Sequence, residues 1–203
     1  MAPSIPALLD LSNAMDKPYD RISHRKSKLP IAIVPPDPSW PSSFAVFKKR
    51  IQTALGSTGT AVSIEHIGST SVPGLPAKTL IDIDLTVKDI EDEGSYVPAL
   101  EAAGFQLLLR EREWFEHRLF CAYEPMVANL HVWPVDSPEA ARHNIFRDWL
   151  LEHEEDRVKY ATVKRDAAEA STRLGEDVNQ YSARKASVIN EILQKAFRAL
   201  GYL

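Results

Sequence analysis

Residues 64–85 read Ile-Glu-His-Ile-Gly-Ser-Thr-Ser-Val-Pro-Gly-Leu-Pro-Ala-Lys-Thr-Leu-Ile-Asp-Ile-Asp-Leu, and this stretch decides the fold. Two strands are predicted around it, Ala61 to Ile67 and Leu80 to Val87. In the second strand, acids alternate with aliphatic residues, so period-two geometry places Asp82 and Asp84 on the same face. Two adjacent carboxylates repel each other, and a fold that keeps them near its core needs a compensating cation. Mg²⁺ or Mn²⁺, which prefer oxygen ligands, is the predicted cofactor.

The turn between the two strands predicts a phosphate site. Gly68 lets the backbone approach a ligand closely, and a helical turn that starts there would direct N–H groups at an anion. The hydroxyl of Ser69 adds a hydrogen bond, and Thr70 and Lys78 of the same loop are further candidate binding residues. His66 could line this pocket or cap the loop. The Gly-Ser turn and the two aspartates together are typical of in-line nucleotidyl transfer, in which metal ions neutralise phosphate charge. Taken separately, each feature also fits an ordinary turn or an exposed sheet face.

Composition restricts the classes of function. The chain has 203 residues, and its 24 Lys and Arg against 28 Asp and Glu give a net charge of −4. That balance gives no electrostatic reason to expect general nucleic-acid binding, although it allows a local basic pocket for a phosphorylated ligand. No apolar stretch approaches the roughly 20 residues of a membrane helix, and the N-terminus lacks the layout of a secretory signal. A cytoplasmic protein with a small-molecule or nucleotide substrate and no membrane partner is therefore expected.

The chain divides into an extension and one domain. Residues 1–28 are predicted to be a flexible N-terminal extension, and residues 29–203 a domain with its sheet core over 29–135 and helices over 137–203. Further strands are predicted at Leu29 to Val34, Phe105 to Leu109, Phe115 to Tyr123 and Ala128 to Trp133, and helices at Pro41 to Leu55, Ser95 to Ala103, 138–152, 154–173 and 177–200. This order indicates an α+β or α/β fold, and the glycine fingerprint of a Rossmann unit is absent.

The run from Glu65 to Leu75, followed by Ala77-Lys78 and Ile81-Asp82-Ile83, resembles the signature of the GrpB family. The resemblance covers about residues 31–198 and also rests on Val34 to Pro41, Leu130 to Val132, Phe146 to Leu150, Tyr160 with Lys164, and Tyr181 with Lys185. It implies an α+β, nucleotidyltransferase-like fold, in which a small mixed sheet is flanked by helices. Related domains occur fused to dephospho-CoA kinase, and the resemblance implies no settled reaction.

The nucleotidyltransferase pattern normally adds a third carboxylate on a neighbouring strand, and His131 stands in that place here. A neutral imidazole binds metal or acts as a general base, whereas many strand histidines only form hydrogen bonds. Candidate phosphate clamps are the basic residues Lys78, Arg112, Arg118, Arg147, Lys164 and Lys185. Among them Lys78, inside the loop that faces the Gly-Ser turn, is favoured. Arg147, Lys164 and Lys185, together with Tyr181, are favoured because they match the family.

The leading hypothesis is a metal-dependent nucleotidyltransferase-like enzyme. Gly68 and Ser69 would hold a nucleoside triphosphate, Asp82 and Asp84 the metal, and His131 would complete the site. The acceptor would be a small-molecule or macromolecular hydroxyl or amine. Two alternatives stay open: a catalytically retired fold that binds a nucleotide or acidic metabolite, and a metal-free transferase or hydrolase in which the histidine is the base.

Overall fold

The structure is a computed structural model that describes residues 3–11 and 17–203. The other residues of the predicted extension, 1–2 and 12–16, lie outside the described residues. The helices are α1 (Ile5–Leu9), α2 (Trp40–Leu55), α3 (Val97–Ala102), α4 (Pro138–Glu152), α5 (Glu154–Leu174) and α6 (Val178–Ala199). The strands are β1 (Asp20–Arg21), β2 (Ala61–Ile67), β3 (Ile81–Val87), β4 (Gln106–Glu111), β5 (His117–Ala122) and β6 (Ala128–Pro134).

The strands form one mixed sheet in the order β1-β4-β5-β6-β3-β2. Strands β3 and β6 are parallel, and every other neighbouring pair is antiparallel. In the parallel pair, Asp82 lies opposite Asn129 and Asp84 opposite His131. The α+β, nucleotidyltransferase-like fold expected from the sequence is confirmed. The parallel pairing places the acids of β3 directly beside the polar residues of β6.

The two faces of the sheet differ in chemistry. The aliphatic side chains of β3, Ile81, Ile83 and Leu85, are fully buried and pack with α2 and α3 in the main core. The acids of β3 project from the opposite face, as the alternation predicts. Helices α4, α5 and α6 lie over that polar face and form a second apolar cluster with the loop after β2. A polar layer is therefore enclosed between the sheet and the C-terminal helices.

Local sequence sets the ends of these helices. Ser137 caps α4 through a hydrogen bond from the Ala140 N–H, and proline occupies the start of this helix. Helix α5 ends at Gly175, whose φ of 67° is readily adopted by glycine. Asp177 and Gln180 form a reciprocal capping box at the start of α6. These signals confirm the predicted helices almost residue for residue.

The predicted strand from Leu29 to Val34 is wrong. Only Val34 pairs with another segment, through an isolated antiparallel bridge to Ala77. Ile31 and Ile33 instead pack against a buried cluster on α5 and α6 that contains Ala168 and Tyr181. The β-branched run therefore indicated burial correctly, but its side chains pack against α5 and α6 instead of pairing with a strand.

The described parts of the N-terminal extension contact the domain. Strand β1, which the sequence did not predict, pairs with the edge strand β4. Further along, Arg25 donates to the side-chain oxygen of Asn129 at 2.6 Å. Leu8 of α1 is buried against Leu193 and Phe197 of α6. These contacts tie the extension to both the sheet and the helices.

Candidate functional site

A cavity of about 370 Å³ lies between the polar face of the sheet and the helices α4, α5 and α6. The predicted site residues that line it are Gly68, Ser69, Thr70, Lys78, Asp82, His131, Arg147, Lys164, Tyr181 and Lys185. Asp84, the second predicted metal ligand, does not line it. Residues more than a hundred positions apart in the chain thus meet in one place, and the second acid is set apart from them.

In the turn after β2, the backbone of Gly68 lies very close to the side chain of Asp82. Gly68 has φ 71° and ψ −172°, a region that residues with a side chain avoid. A Cβ at this position would lie 2.6 Å from Oδ2 of Asp82, closer than real contacts allow. A single 3₁₀ turn, Ser69–Ser71, follows the glycine. Glycine is therefore required here both for its backbone angles and for the close approach to Asp82.

His66 caps the loop and does not line the cavity. Its Nε2 lies 3.0 Å from the hydroxyl of Thr70, which itself donates to the carbonyl of Leu80. Because that hydroxyl proton is used, His66 donates through Nε2. Burial lowers the pKa of His66 to about 4, so the ring is neutral. Arg147 donates to the His66 carbonyl at 3.1 Å, which fastens α4 to the same loop.

Three lysines and two tyrosines form one side of the cavity, the lysine wall: Lys78, Lys164, Lys185, Tyr160 and Tyr181. They come from the loop before β3, from α5 and from α6. The Nζ atoms of Lys78 and Lys185 lie 5.2 and 4.3 Å from the ring centre of Tyr181. Lys164 lies 5.3 Å from the ring centre of Tyr160. Aromatic faces thus support the ammonium groups while leaving them short of anionic partners.

Burial and mutual repulsion destabilise the charged forms of Lys164 and Lys185. Burial, followed by the charges of Lys185 and Lys78, lowers the pKa of Lys164 to about 6. Burial and the charge of Lys78 lower the pKa of Lys185 to about 8. Lys164 also donates to the carbonyl of Pro76 at 2.5 Å. Like charges crowded in a cavity indicate a site for an anion, because an anion would relieve their repulsion.

Asp82 faces the lysine wall from the sheet. Its Oδ1 accepts a hydrogen bond from the Asn129 amide at 2.8 Å, and Nε2 of His131 lies 3.8 Å from the same oxygen. Although burial opposes the change, the neighbouring His131 and Lys78 lower the pKa of Asp82. An ionised acid and an imidazole therefore stand side by side at the cavity, next to the Gly-Ser turn.

A hydrogen-bonded row extends from His131 across the sheet. Nε2 of His117 lies 3.0 Å from Nδ1 of His131, and Nδ1 of His117 lies 2.6 Å from Oε2 of Glu111. Burial lowers the pKa of His117 well below its usual value, so this ring is neutral and carries one N–H. Burial raises the pKa of Glu111, whose carboxyl group shares a proton with Nδ1 of His117 across this short contact. Nε2 of His131, at the far end of this row, faces Oδ1 of Asp82 at 3.8 Å.

Asp84 belongs to a different set of contacts. It is only 2 % exposed; its Oδ1 accepts from the Trp133 indole at 2.9 Å and its Oδ2 from Nδ1 of His143 at 2.8 Å. Nε2 of His143 lies 3.6 Å from Glu139, one turn earlier in α4. The sequence reasoning missed His143, although Glu139, His143 and Arg147 at i, i+4 spacing share one face of the predicted helix.

The residues do not fit a metal held between both acids. Both oxygens of Asp84 already face N–H donors, and His143 occupies the side of the carboxylate nearest α4. Within residues 3–11 and 17–203, no group of three or more His, Cys, Asp or Glu side chains is arranged to hold a metal ion. Metal ligation by Asp82, Asp84 and His131 therefore stays a prediction from the sequence.

Two of the weaker candidate clamps lie elsewhere. Arg118 is buried and paired with Glu91 and Glu93, the latter at 2.9 Å. Arg112 pairs with Glu91 and, at 3.6 Å, with Asp20. Both arginines therefore stabilise the edge of the sheet beyond the cavity.

The chain has a nucleotidyltransferase-like fold, and its Gly-Ser turn, Asp82 and lysines face one enclosed space. The chain belongs to the GrpB family, whose GrpB protein domain matches residues 30–195. That match leaves the whole N-terminal extension, residues 1–28, outside and contains every predicted site residue.

Relatives agree with this assignment. A UPF0157 protein of Halalkalibacterium halodurans is 39% identical over 95% of this chain and 98% of its own length. A protein described as dephospho-CoA kinase from Mycolicibacterium paratuberculosis is 29% identical over 84% of this chain, which spans 47% of that protein. The crystal structure of the conserved protein GrpB from Enterococcus faecalis superposes with a TM-score of 0.66 at 25% identity, covering 81% of this chain and 98% of that one. Among the described residues, no helix is long and apolar enough to span a membrane.

Proposed function

We propose that the cavity binds the phosphate chain of a nucleoside triphosphate and that the protein transfers its nucleotidyl group to a hydroxyl or amine acceptor. The observation that carries this proposal is the lysine wall, which faces the Gly-Ser turn and Asp82 across one cavity. Three crowded lysine side chains, of which Lys164 would gain its proton as the anion binds, match the several negative charges of a polyphosphate. The relatives described as dephospho-CoA kinase support a nucleotide-related role.

The residues suggest how such a transfer would proceed. The lysine wall would hold the β- and γ-phosphates, and the Ser69 turn would orient the α-phosphate. The acceptor oxygen or nitrogen would bond to the α-phosphorus while the bond from that phosphorus to the bridging oxygen breaks. Pyrophosphate would leave with the electron pair, its charge neutralised by the lysines. The acceptor's proton would pass to Nε2 of His131, which the Glu111–His117 row orients.

A second candidate is binding of the nucleotide without turnover. The specific observation in its favour is the burial of Asp84, which leaves Asp82 as the single β3 carboxylate at the cavity. Nucleotidyl transfer commonly uses metal held by paired carboxylates. A chain without that pair could keep the pocket and lose the reaction.

Calorimetry with ATP, GTP and CTP tests the binding step. We expect Lys164→Met and Lys185→Met to weaken binding at least about tenfold each, or about 1.4 kcal/mol. Lys159→Met is the matched control, because Lys159 lies on the same helix α5 but is exposed and paired with Glu191. The absence of nucleotide binding, or equal affinities in all three variants, would contradict the proposal.

Pyrophosphate release over a panel of acceptors separates the two candidates. Transfer predicts release that is lost in His131→Ala and Asp82→Asn while nucleotide binding persists. Tight binding with no release from any nucleotide across the panel would favour the second candidate.

A further inference from the structure

The environment of Asp84 is complete without a metal. The indole of Trp133, on β6, and the imidazole of His143, on α4, each donate one hydrogen bond to a separate carboxylate oxygen. A divalent cation binds a carboxylate through its oxygen lone pairs and would stand among these N–H donors, which repel it. The side chain is 2 % exposed and does not line the cavity.

His143 supplies a positive charge at this point. Its ring lies between two acids, with Nδ1 at 2.8 Å from Asp84 and Nε2 at 3.6 Å from Glu139. Its other close neighbours are the rings of His131 and Trp133, each with its centre 5.9 Å away. Because each of its nitrogens faces a carboxylate oxygen, the ring is placed as an imidazolium between the two acids.

We infer that His143, in place of a divalent cation, is the partner of Asp84, and that the anionic ligand of the cavity binds without a metal bridging Asp82 and Asp84. The first half rests on the contacts of His143 alone. The second half rests on the proposed function, because it concerns the phosphate ligand. The three lysines then supply the positive charge that a metal would otherwise bring to the phosphates.

Titration with Mn²⁺ alone, followed by the electron paramagnetic resonance of the free ion, tests the first half. We expect wild-type protein to show no saturable site at or below about 1 mM, the range of weak carboxylate sites. His143→Gln should gain a one-to-one Mn²⁺ site, because it removes the charge and frees an oxygen of Asp84. His24→Gln, which changes an exposed histidine, is the control and should match wild type.

The outcomes are distinct. A saturable Mn²⁺ site in the wild type that is lost in Asp82→Asn would overturn the inference, and this variant should stay folded because Asp82 borders the open cavity. The absence of a site in folded His143→Gln, as judged by its circular dichroism, would overturn the role of His143.

Nucleotide calorimetry in EDTA and in Mg²⁺ tests the second half. We expect the two affinities to agree within about threefold, and an EDTA-induced loss of tenfold or more would overturn it. If no nucleotide binds in either buffer while Mn²⁺ behaves as expected, the proposed function fails and the role of His143 stands.

Discussion

Asp82 and Asp84 stand two residues apart on one strand and on one face, yet they belong to different regions of the molecule. Asp82 faces the cavity, the Gly-Ser turn and the lysine wall. Asp84 is buried beneath α4 and held by Trp133 and His143. The difference arises from what covers each acid, since nothing in the strand itself distinguishes them.

The comparison separates a region suited to binding from a region suited to stability. Around Asp82, cations crowd together and the pKa of Lys164 falls to about 6, which costs folding free energy until an anion arrives. Around Asp84, both carboxylate oxygens meet donors, so the loss of one partner would leave a buried charge uncompensated. Substitutions in the two regions should therefore affect different measurements.

The largest expected difference is in stability. Asp84→Ala leaves the His143 charge and the Trp133 indole buried without their acceptor, and we expect a loss of about 3–5 kcal/mol in the free energy of unfolding. Asp82→Ala should cost about 1 kcal/mol or less, because its surroundings are open to the cavity. Urea denaturation at pH 7 measures both. Equal losses would remove the distinction between the two acids.

The next largest effect depends on pH. His143 has a pKa of about 9 in the folded chain against an ordinary value of 6.5, so its stabilising contribution is full below pH 6.5 and is lost as the pH rises through 9. We expect the stability difference between wild type and His143→Gln to be about 3 kcal/mol larger at pH 6 than at pH 10. Lys164 acts in the opposite direction, since its lowered pKa makes stability rise with pH, so the difference between the proteins isolates His143. A constant difference across this range would contradict the imidazolium assignment.

Two glycines of the loop after β2 test how much the close contact with Asp82 matters for stability. Gly68→Ala combines an unfavourable backbone with a Cβ 2.6 Å from Asp82, and we expect a loss of about 2–3 kcal/mol. Gly74, in the same loop, also has a positive φ, of 78°, but a Cβ there would meet nothing within 4 Å. Gly74→Ala should therefore cost about 1 kcal/mol. Thermal unfolding of both variants checks the values, and similar losses would show that contact with Asp82 is unimportant.

The smallest effect concerns proton uptake on binding. An anion beside Lys164 should raise its pKa from about 6, so phosphate binding should take up a proton near pH 7. Affinity for pyrophosphate should then fall about tenfold between pH 6 and pH 8, or about 1.4 kcal/mol. Calorimetry in buffers of different ionisation enthalpy measures the proton uptake directly. Lys164→Met should abolish that uptake, and an undiminished uptake in this variant would assign it to another group.

Local patterns in the sequence predicted much of the fold. The alternation in β3 predicted which face carries Asp82, and the Ser137-Pro138 start of α4 and Gly175 end of α5 set helix ends, because these signals act within a few residues. The strand predicted from Leu29 to Val34 was wrong, because burial against helices and burial in a sheet favour the same β-branched residues. For the site, the Gly-Ser turn and the lysines matching the family pointed to the same cavity.

What the sequence alone determined is the strand-turn-strand unit and the pair of acids on one face, since both follow from spacing along the chain. What only the tertiary structure decided is the role of each acid. His143 lies 59 residues from Asp84, and no periodicity links a helix residue to a strand residue at that distance. The packing of α4 over β3 brings the imidazole to one carboxylate and leaves the other facing the lysines. That choice depends on which elements meet in space, and for this reason it could not be derived from spacing.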